Sequence, residues 1–131
     1  MTQTLDEFLS THSLLPWQYG QEDCLMNLAN WAVARAYPDP AAHLRNTYNT
    51  EEGYKAIILS KGSTIALVDD CAKRSGIVPS EFIRNGYIGV IGSHENNFKQ
   101  WGAIYSEGWW WVRDTDGYHK LRARPLAVWR I

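Results

Sequence analysis

The residue whose type and position best suit covalent chemistry is Cys24, which follows Asp23 at the end of a loop that contains Trp17 and Gly20. The residues after it have the apolar spacing of a helix, so we expect the thiol in the first helical turn. The positive end of the helix dipole favours a thiolate there. Glu22 and Asp23 oppose it, because neighbouring carboxylates disfavour another negative charge. Cys24 is therefore interpreted either as a nucleophile or as a small buried core residue.

A nucleophilic thiol needs a general base, which is usually a histidine supplied by another element. His94 lies in the polar stretch 92–97, which could fold over the start of the helix, although a solvated loop histidine is the simpler interpretation. His119 lies in a late strand-like segment and is a weaker choice of base. His12 and His43 lie on or beside early helices and are interpreted as surface groups.

The cysteines and histidines lack the paired spacing of a metal site, so neither a metal nor another cofactor is predicted. Cys71 lies in the apolar stripe of a later helix and is expected in the core. The two cysteines are far apart in a chain that can form its own core, so both should be free thiols.

Composition narrows the class of protein. The chain has 131 residues with 13 basic and 14 acidic side chains, so no basic excess points to nucleic acid. Its length suits one domain, 1–131, and is too short for two ordinary ones. No apolar run approaches the roughly 18 residues needed to span a membrane. No signal peptide is recognised at the N-terminus, so synthesis and folding in a cytoplasm are expected.

Helical patterns occupy the first part of the chain. Thr4 and Glu7 form a capping box, while Thr50 and Ser63 are typical N-cap residues. Apolar residues recur at three- and four-residue steps after Asp23, which predicts the central helix. The predicted helices cover approximately residues 5–10, 23–37, 51–61 and 64–75.

After Pro79 the pattern changes to short runs of β-branched and aromatic residues separated by turn residues. Asp116-Gly117 is a strong signal for a tight turn. Helices followed by an antiparallel meander make an α+β layout. The predicted strands cover residues 82–91, 101–105, 109–113, 118–121 and 127–131.

The run Trp109-Trp110-Trp111 places tryptophan on both faces of a strand, because successive side chains alternate. Core packing accounts for one face, and a partner or a stacking platform accounts for the other. We predict a protein interface there, to which Trp101 and Trp129 also contribute.

Several motifs resemble a known superfamily. These are Trp17-x-x-Gly20-x-x-Asp23-Cys24, Arg45-x-x-Tyr48 before a helix, and the C-terminal Val128-Trp129-Arg130-Ile131. They are similar to papain-like hydrolases of the NlpC type, in particular a branch of short tailed-phage proteins encoded among tail-tip genes. The resemblance implies that the cysteine helix packs on a C-terminal antiparallel sheet. It also implies a place in the virion tail tip, with other tail-tip or baseplate hub proteins as partners.

The chain differs from the active peptidases of this type at the position of the general base. Their catalytic histidine opens a strand in a His-aliphatic-Gly-Ile-Tyr pattern, and the matching run here begins at Trp101. The position of their polar orienting group corresponds to Arg113 and Asp114. The resemblance therefore implies a catalytically degenerate module that acts in tail assembly or structure.

Two alternatives remain open at this stage. One is an active cysteine peptidase or amidase that cleaves peptidoglycan stem peptides, with Cys24 as nucleophile, Asp23 beside it and His94 as base. The other is a non-catalytic module that binds the cell wall through the tryptophans.

Overall fold

The computed structural model describes residues 3–131, in which the helices precede the sheet. The four α helices are α1 (Leu5–Ser13), α2 (Met26–Ala34), α3 (Glu51–Lys61) and α4 (Thr64–Arg74). The six strands are β1 (Val78–Pro79), β2 (Ile88–Gly92), β3 (Gln100–Ser106), β4 (Trp109–Asp114), β5 (Gly117–Leu121) and β6 (Ala127–Arg130). The predicted α+β class is confirmed. Within residues 3–131, every helix is too short or too polar to cross a membrane.

Local side-chain caps determine where three of the helices begin. The hydroxyl groups of Thr4, Thr50 and Ser63 each accept a hydrogen bond from the backbone N–H three residues later. Each such cap typically contributes about 1 kcal/mol to stability. The central helix α2 begins at Met26, so Cys24 precedes it and does not lie in its first turn as predicted.

All strand pairs of the sheet are antiparallel, in the order β1-β6-β2-β3-β4-β5. Strands β2 to β5 form the predicted meander. The chain then returns so that β6 pairs with the free side of β2, with Val128 opposite Gly89. Residues 82–87 were predicted to be strand, but they lie outside the sheet, and Phe82 and Ile83 are exposed.

Two tight turns connect the last three strands of the meander. Glu107 and Gly108 between β3 and β4 both have positive φ, 51° and 86°, as two-residue hairpin turns often require. Asp114 pairs with Gly117 across the second turn. A tight turn was predicted at Asp116-Gly117; the turn is present, but its two loop residues are Thr115 and Asp116, and Gly117 already begins β5.

Helix α2 packs directly against the sheet. Leu28 and Trp31 share a buried cluster with Ile88 of β2 and Ile104 of β3. Gly102 makes this approach possible, because a Cβ at that position would lie 2.8 Å from Leu28 Cδ1. The helix-on-sheet packing therefore brings the start of α2, and Cys24 before it, against β3.

Candidate functional site

Asp23 organises the loop that leads into α2. Its Oδ1 accepts hydrogen bonds from the backbone N–H groups of Leu25 (3.1 Å) and Met26 (2.8 Å). Its Oδ2 accepts from the Gly20 N–H (2.9 Å) and the Tyr48 hydroxyl (2.7 Å). These four donors compensate for burying the carboxylate. Asp23 thus caps the turn, and its oxygens serve the fold.

The two N-terminal sequence motifs meet in one structural unit. Gly20 has φ 86°, and a Cβ there would lie 2.5 Å from the Tyr48 carbonyl oxygen, so the loop requires glycine. The Tyr48 backbone packs on Gly20 while its hydroxyl reaches Asp23. Arg45 lies one turn earlier and donates to the Asp39 carboxylate at 2.6 Å. Tyr48 of the Arg45-x-x-Tyr48 motif therefore supports the cysteine loop, whereas Arg45 bonds to the preceding segment at Asp39.

The Cys24 thiol is enclosed. The residue is only 4% exposed, and its Sγ donates to the Gly102 carbonyl oxygen at 3.5 Å. Burial, with a further contribution from the Asp23 charge, raises the pKa of Cys24 to about 12. The group is thus a neutral thiol at physiological pH, whereas a cysteine nucleophile reacts as the thiolate.

No histidine of residues 3–131 hydrogen-bonds to Cys24. His94, the predicted base, is exposed in the loop between β2 and β3 and does not line the cavity beside the thiol. His119 Nε2 instead lies 3.2 Å from the Asp114 carboxylate at the surface. His43 lies beside α4, also away from the thiol. The geometry does not supply the predicted base.

Glu22, the other carboxylate beside Cys24, belongs to a buried ionic network. Its carboxylate lies 3.0 Å from His12 Nδ1 and accepts from Asn30 Nδ2 at 3.0 Å. Arg113 Nε donates to it at 3.4 Å, and the Arg113 guanidinium also donates to the Leu15 carbonyl. Arg113, one of the two residues at the orienter position, therefore fixes β4 to the N-terminal loop. No local sequence pattern indicates this pairing, because 91 residues separate the two charges.

A cavity of about 300 Å³ lies beside Cys24. Its aromatic lining consists of Trp17, Tyr19, Tyr54, Phe98 and Trp101. Charged side chains at its walls include Glu51, Lys55 and Asp114. The structure thus brings together Cys24, Trp101 and Asp114, three positions identified in the sequence. An indole at position 101 cannot accept the proton of a thiol, so Trp101 supplies no general base, and the Cys24 thiol donates to the Gly102 carbonyl and not to Asp114.

Two of the predicted interface tryptophans are core residues. Trp110 and Trp129 are each 2% exposed, so neither is available to a partner, and the prediction for them is wrong. Trp110 lies across Gly89 of β2, where a Cβ would come within 2.9 Å of its ring. Trp129 donates from its indole to the Asp69 carboxylate at 3.2 Å. Both indoles contribute to internal packing and not to recognition.

The half-buried Trp109 and Trp111 form a basic-aromatic face with Lys120 and Arg122. Lys120 Nζ lies 5.7 Å from the ring centre of Trp109 and 5.3 Å from that of Trp111. Arg122 Cζ lies 4.4 Å from the ring centre of Trp109. Lys120 and Arg122 were not predicted from the sequence to belong to this face. They are two residues apart, and this alternation opposite the tryptophans indicates that all four side chains share one face.

Two groups of metal-ligand side chains come together in space, His43 with Asp70 and Cys71, and Asp114 with Asp116 and His119. In the first, Lys61 and Arg74 already contact the Asp70 carboxylate. Burial also raises the pKa of Cys71 to about 11, which opposes the thiolate that a metal requires. All three residues of the second group are exposed. Neither group has the features of a built metal site.

The fold and the site define the class as an α+β domain with a buried, neutral cysteine beside an aromatic-walled cavity. The chain matches, over residues 1–131, the family described as "Domain of unknown function (DUF6950)", and it belongs to that family. Comparison with curated proteins and with solved structures finds no match.

Proposed function

We propose that the protein is a catalytically inactive module of the papain-like NlpC type that acts in the assembly or structure of the tail tip or baseplate of a tailed bacteriophage or prophage. The Cys24 thiol carries the proposal of inactivity. It is buried, its hydrogen bond goes to the Gly102 carbonyl, and its pKa is near 12. A cysteine hydrolase needs an accessible thiolate and an adjacent base, whereas this thiol is neutral and no histidine of residues 3–131 hydrogen-bonds to it.

The fold assignment is supported by the position of Trp101. It is the second residue of β3, the strand that packs against the start of the cysteine helix, and it lines one cavity with Cys24. That is the place of the catalytic histidine in the active enzymes that the sequence resembles. The tail-tip role is supported by the resemblance of the Trp17 to Cys24 loop and of the C-terminal Val128-Trp129-Arg130-Ile131. The protein is made in the bacterial host cytoplasm and then incorporated into the virion tail tip.

A structural module acts through its surfaces, and we assign its main contact to the basic-aromatic face. Trp109 and Trp111 are half-buried, while Lys120 and Arg122 are exposed and form no salt bridge within the described chain. Tryptophan and arginine are the residue types most enriched at the energetic centres of protein interfaces. The partner is a neighbouring tail-tip or baseplate hub protein.

The first experiment separates an inactive module from a hydrolase. Purified wild type and Cys24→Ala are incubated with peptidoglycan sacculi, and soluble fragments are measured. We expect no release from either protein, and phage carrying Cys24→Ala should assemble and infect normally. Release by the wild type that Cys24→Ala abolishes would overturn the proposed inactivity.

The second experiment tests the assembly role. A phage carrying Trp109→Ala with Arg122→Ala should yield fewer complete tails, as counted by electron microscopy. The matched control is Phe82→Ala with Arg84→Ala, an aromatic and arginine pair that is exposed elsewhere. Equal tail yields in the two double variants would remove the assigned face, and absence of the protein from purified virions would remove the tail role.

A further inference from the structure

The aromatic cavity beside Cys24 is lined in part by aromatic side chains that are exposed and not packed in the core. Phe98 is 43% exposed and Trp101 is 40% exposed, although both are large apolar side chains at a concave surface. Exposed aromatic residues that line a concavity usually mark a binding site. A volume of about 300 Å³ is at the small end of ligand pockets, which suits a single side chain.

Lys55 shows what chemistry these walls accommodate. Its Nζ lies 3.4 Å from the Glu51 carboxylate and 5.1 Å from the ring centre of Phe98. A carboxylate and an aromatic face are the two groups that together hold an ammonium or a guanidinium. On this wall the protein places its own cation against both.

On the β4 side, the cavity is also lined by an aromatic ring and a carboxylate, those of Trp101 and Asp114, but no lysine or arginine of the described chain lies against the ring. The pairing of β3 with β4 ends at Ile104 and Trp111, and Trp101 and Asp114 lie beyond that last pair, one on each strand. Both residues line the cavity. Trp101 has no cation over its ring within the described residues.

The charges of the lining residues make Trp101 and Asp114 favour a cationic ligand. Of the two lining cations, Lys55 contacts Glu51, and Arg113 is bonded to the buried Glu22. Asp114 is then the lining carboxylate whose charge no lysine or arginine of the described chain offsets. At the exposed edge Asp114 also contacts His119 Nε2 and accepts a hydrogen bond from the Thr115 N–H.

We propose that this cavity binds a lysine or arginine side chain on an extended segment of a partner protein, with the cation stacked on Trp101 and hydrogen-bonded to Asp114. A glutamate or aspartate side chain would be repelled by Asp114. An uncharged aliphatic side chain would contact the rings but would bring no positive charge to Asp114. The site is defined by its own chemistry, so it does not depend on the proposed role in a phage tail.

The test uses short capped peptides as probes and the whole protein, labelled with ¹⁵N. Ac-Gly-Lys-Gly-NH2 and Ac-Gly-Arg-Gly-NH2 should produce saturable shifts of the Trp101 and Trp17 indole N–H signals. The norleucine peptide keeps the aliphatic chain without the ammonium, and it should bind at least about fivefold more weakly. The glutamate peptide should produce no shift. Equal binding of the norleucine peptide, or no saturable shift with the cationic peptides, would overturn the proposal.

Variants then locate the site. Trp101→Ala and Asp114→Asn should each weaken binding of the arginine peptide by about fivefold or more, whereas Trp101→Phe should keep most of it. Matched controls are Trp109→Ala, on the other face of the sheet, and Asp116→Asn, a nearby exposed carboxylate that does not line the cavity. Weakening by the controls as large as by the cavity variants would refute the assignment. Peptide binding and virion assembly are separate measurements, so either proposal can fail without the other.

Discussion

The Tyr48 hydroxyl donates a hydrogen bond of 2.7 Å to the buried carboxylate of Asp23, and this bond joins two motifs that lie 25 residues apart. Burial and the Asp23 charge raise the pKa of Tyr48 well above its usual range, so the phenol remains a donor. The loop that presents Cys24 is therefore maintained by interior hydrogen bonds and not by a catalytic partner.

Removal of that donor should destabilise the protein. Tyr48→Phe leaves Asp23 charged and buried with one fewer hydrogen bond, and a lost bond to a charged group typically costs about 1.5–3 kcal/mol. The free energy of unfolding, measured by urea denaturation at neutral pH, should fall by that amount. Tyr87→Phe is the control, because the Tyr87 hydroxyl makes no side-chain hydrogen bond in the described chain. Equal losses in free energy of unfolding in the two variants would show that the hydrogen bond to Asp23 does not stabilise the protein.

Gly102→Ala should weaken the contact between α2 and β3. The added methyl would lie 2.8 Å from Leu28 Cδ1 and 3.2 Å from the Cys24 carbonyl oxygen. Overpacking of this kind typically costs about 1–3 kcal/mol. The same clash predicts coupling with Leu28→Ala, since the smaller side chain makes room. In thermal or urea unfolding, the double variant should lose less free energy of unfolding than the sum of the losses in the two single variants. Strictly additive losses would contradict the contact.

Much of the fold was predictable because its signals are local. Thr4, Thr50 and Ser63 cap helices through the N–H three residues later, so the pattern and the bond lie in the same short segment. The return of β6 to β2 was not predictable in this way. Its pairing of Val128 with Gly89 depends on packing between distant segments, and the turn residues of the meander carry no information about it.

The candidate site was predictable in part for the same reason. The sequence identified Cys24, Trp101 and Asp114, and the structure places all three at one cavity. It did not identify Tyr54, which comes from α3 to the thiol, because nothing near Tyr54 in the sequence distinguishes it from an ordinary helix residue. Alternation alone also could not show that Trp110 would cover Gly89 and so be buried.

Stability should decrease in alkaline solution through Cys24. Its pKa is about 12 in the folded protein against a usual 9.0, so above pH 9 the unfolded chain loses a proton that the folded chain keeps. The unfolded state is thereby favoured, and the resulting loss in free energy of unfolding grows as pH rises from 9 to 12. At pH 10 it amounts to about 1.4 kcal/mol.

Cys24→Ala isolates that effect, because the other groups that titrate in this range are the same in both proteins. Urea denaturation at pH 8 and pH 10 should show a smaller pH-dependent loss for Cys24→Ala than for the wild type, by about 1.4 kcal/mol. Identical pH dependence of the two proteins would mean that the Cys24 thiol ionises in the folded state as readily as in the unfolded one.

Alkylation should separate the two free cysteines. Cys24 is buried with a neutral thiol, whereas Cys71 is half-buried. Iodoacetamide at pH 8, with modified peptides counted by mass spectrometry, should therefore label Cys71 first in the native protein. Cys24 should react only as urea unfolds the chain, because the native thiol has neither access nor charge. An activated nucleophile would give the reverse order, with Cys24 modified fastest in the native state and slowed by denaturation, and that order would contradict the interpretation of Cys24 as a packed core residue.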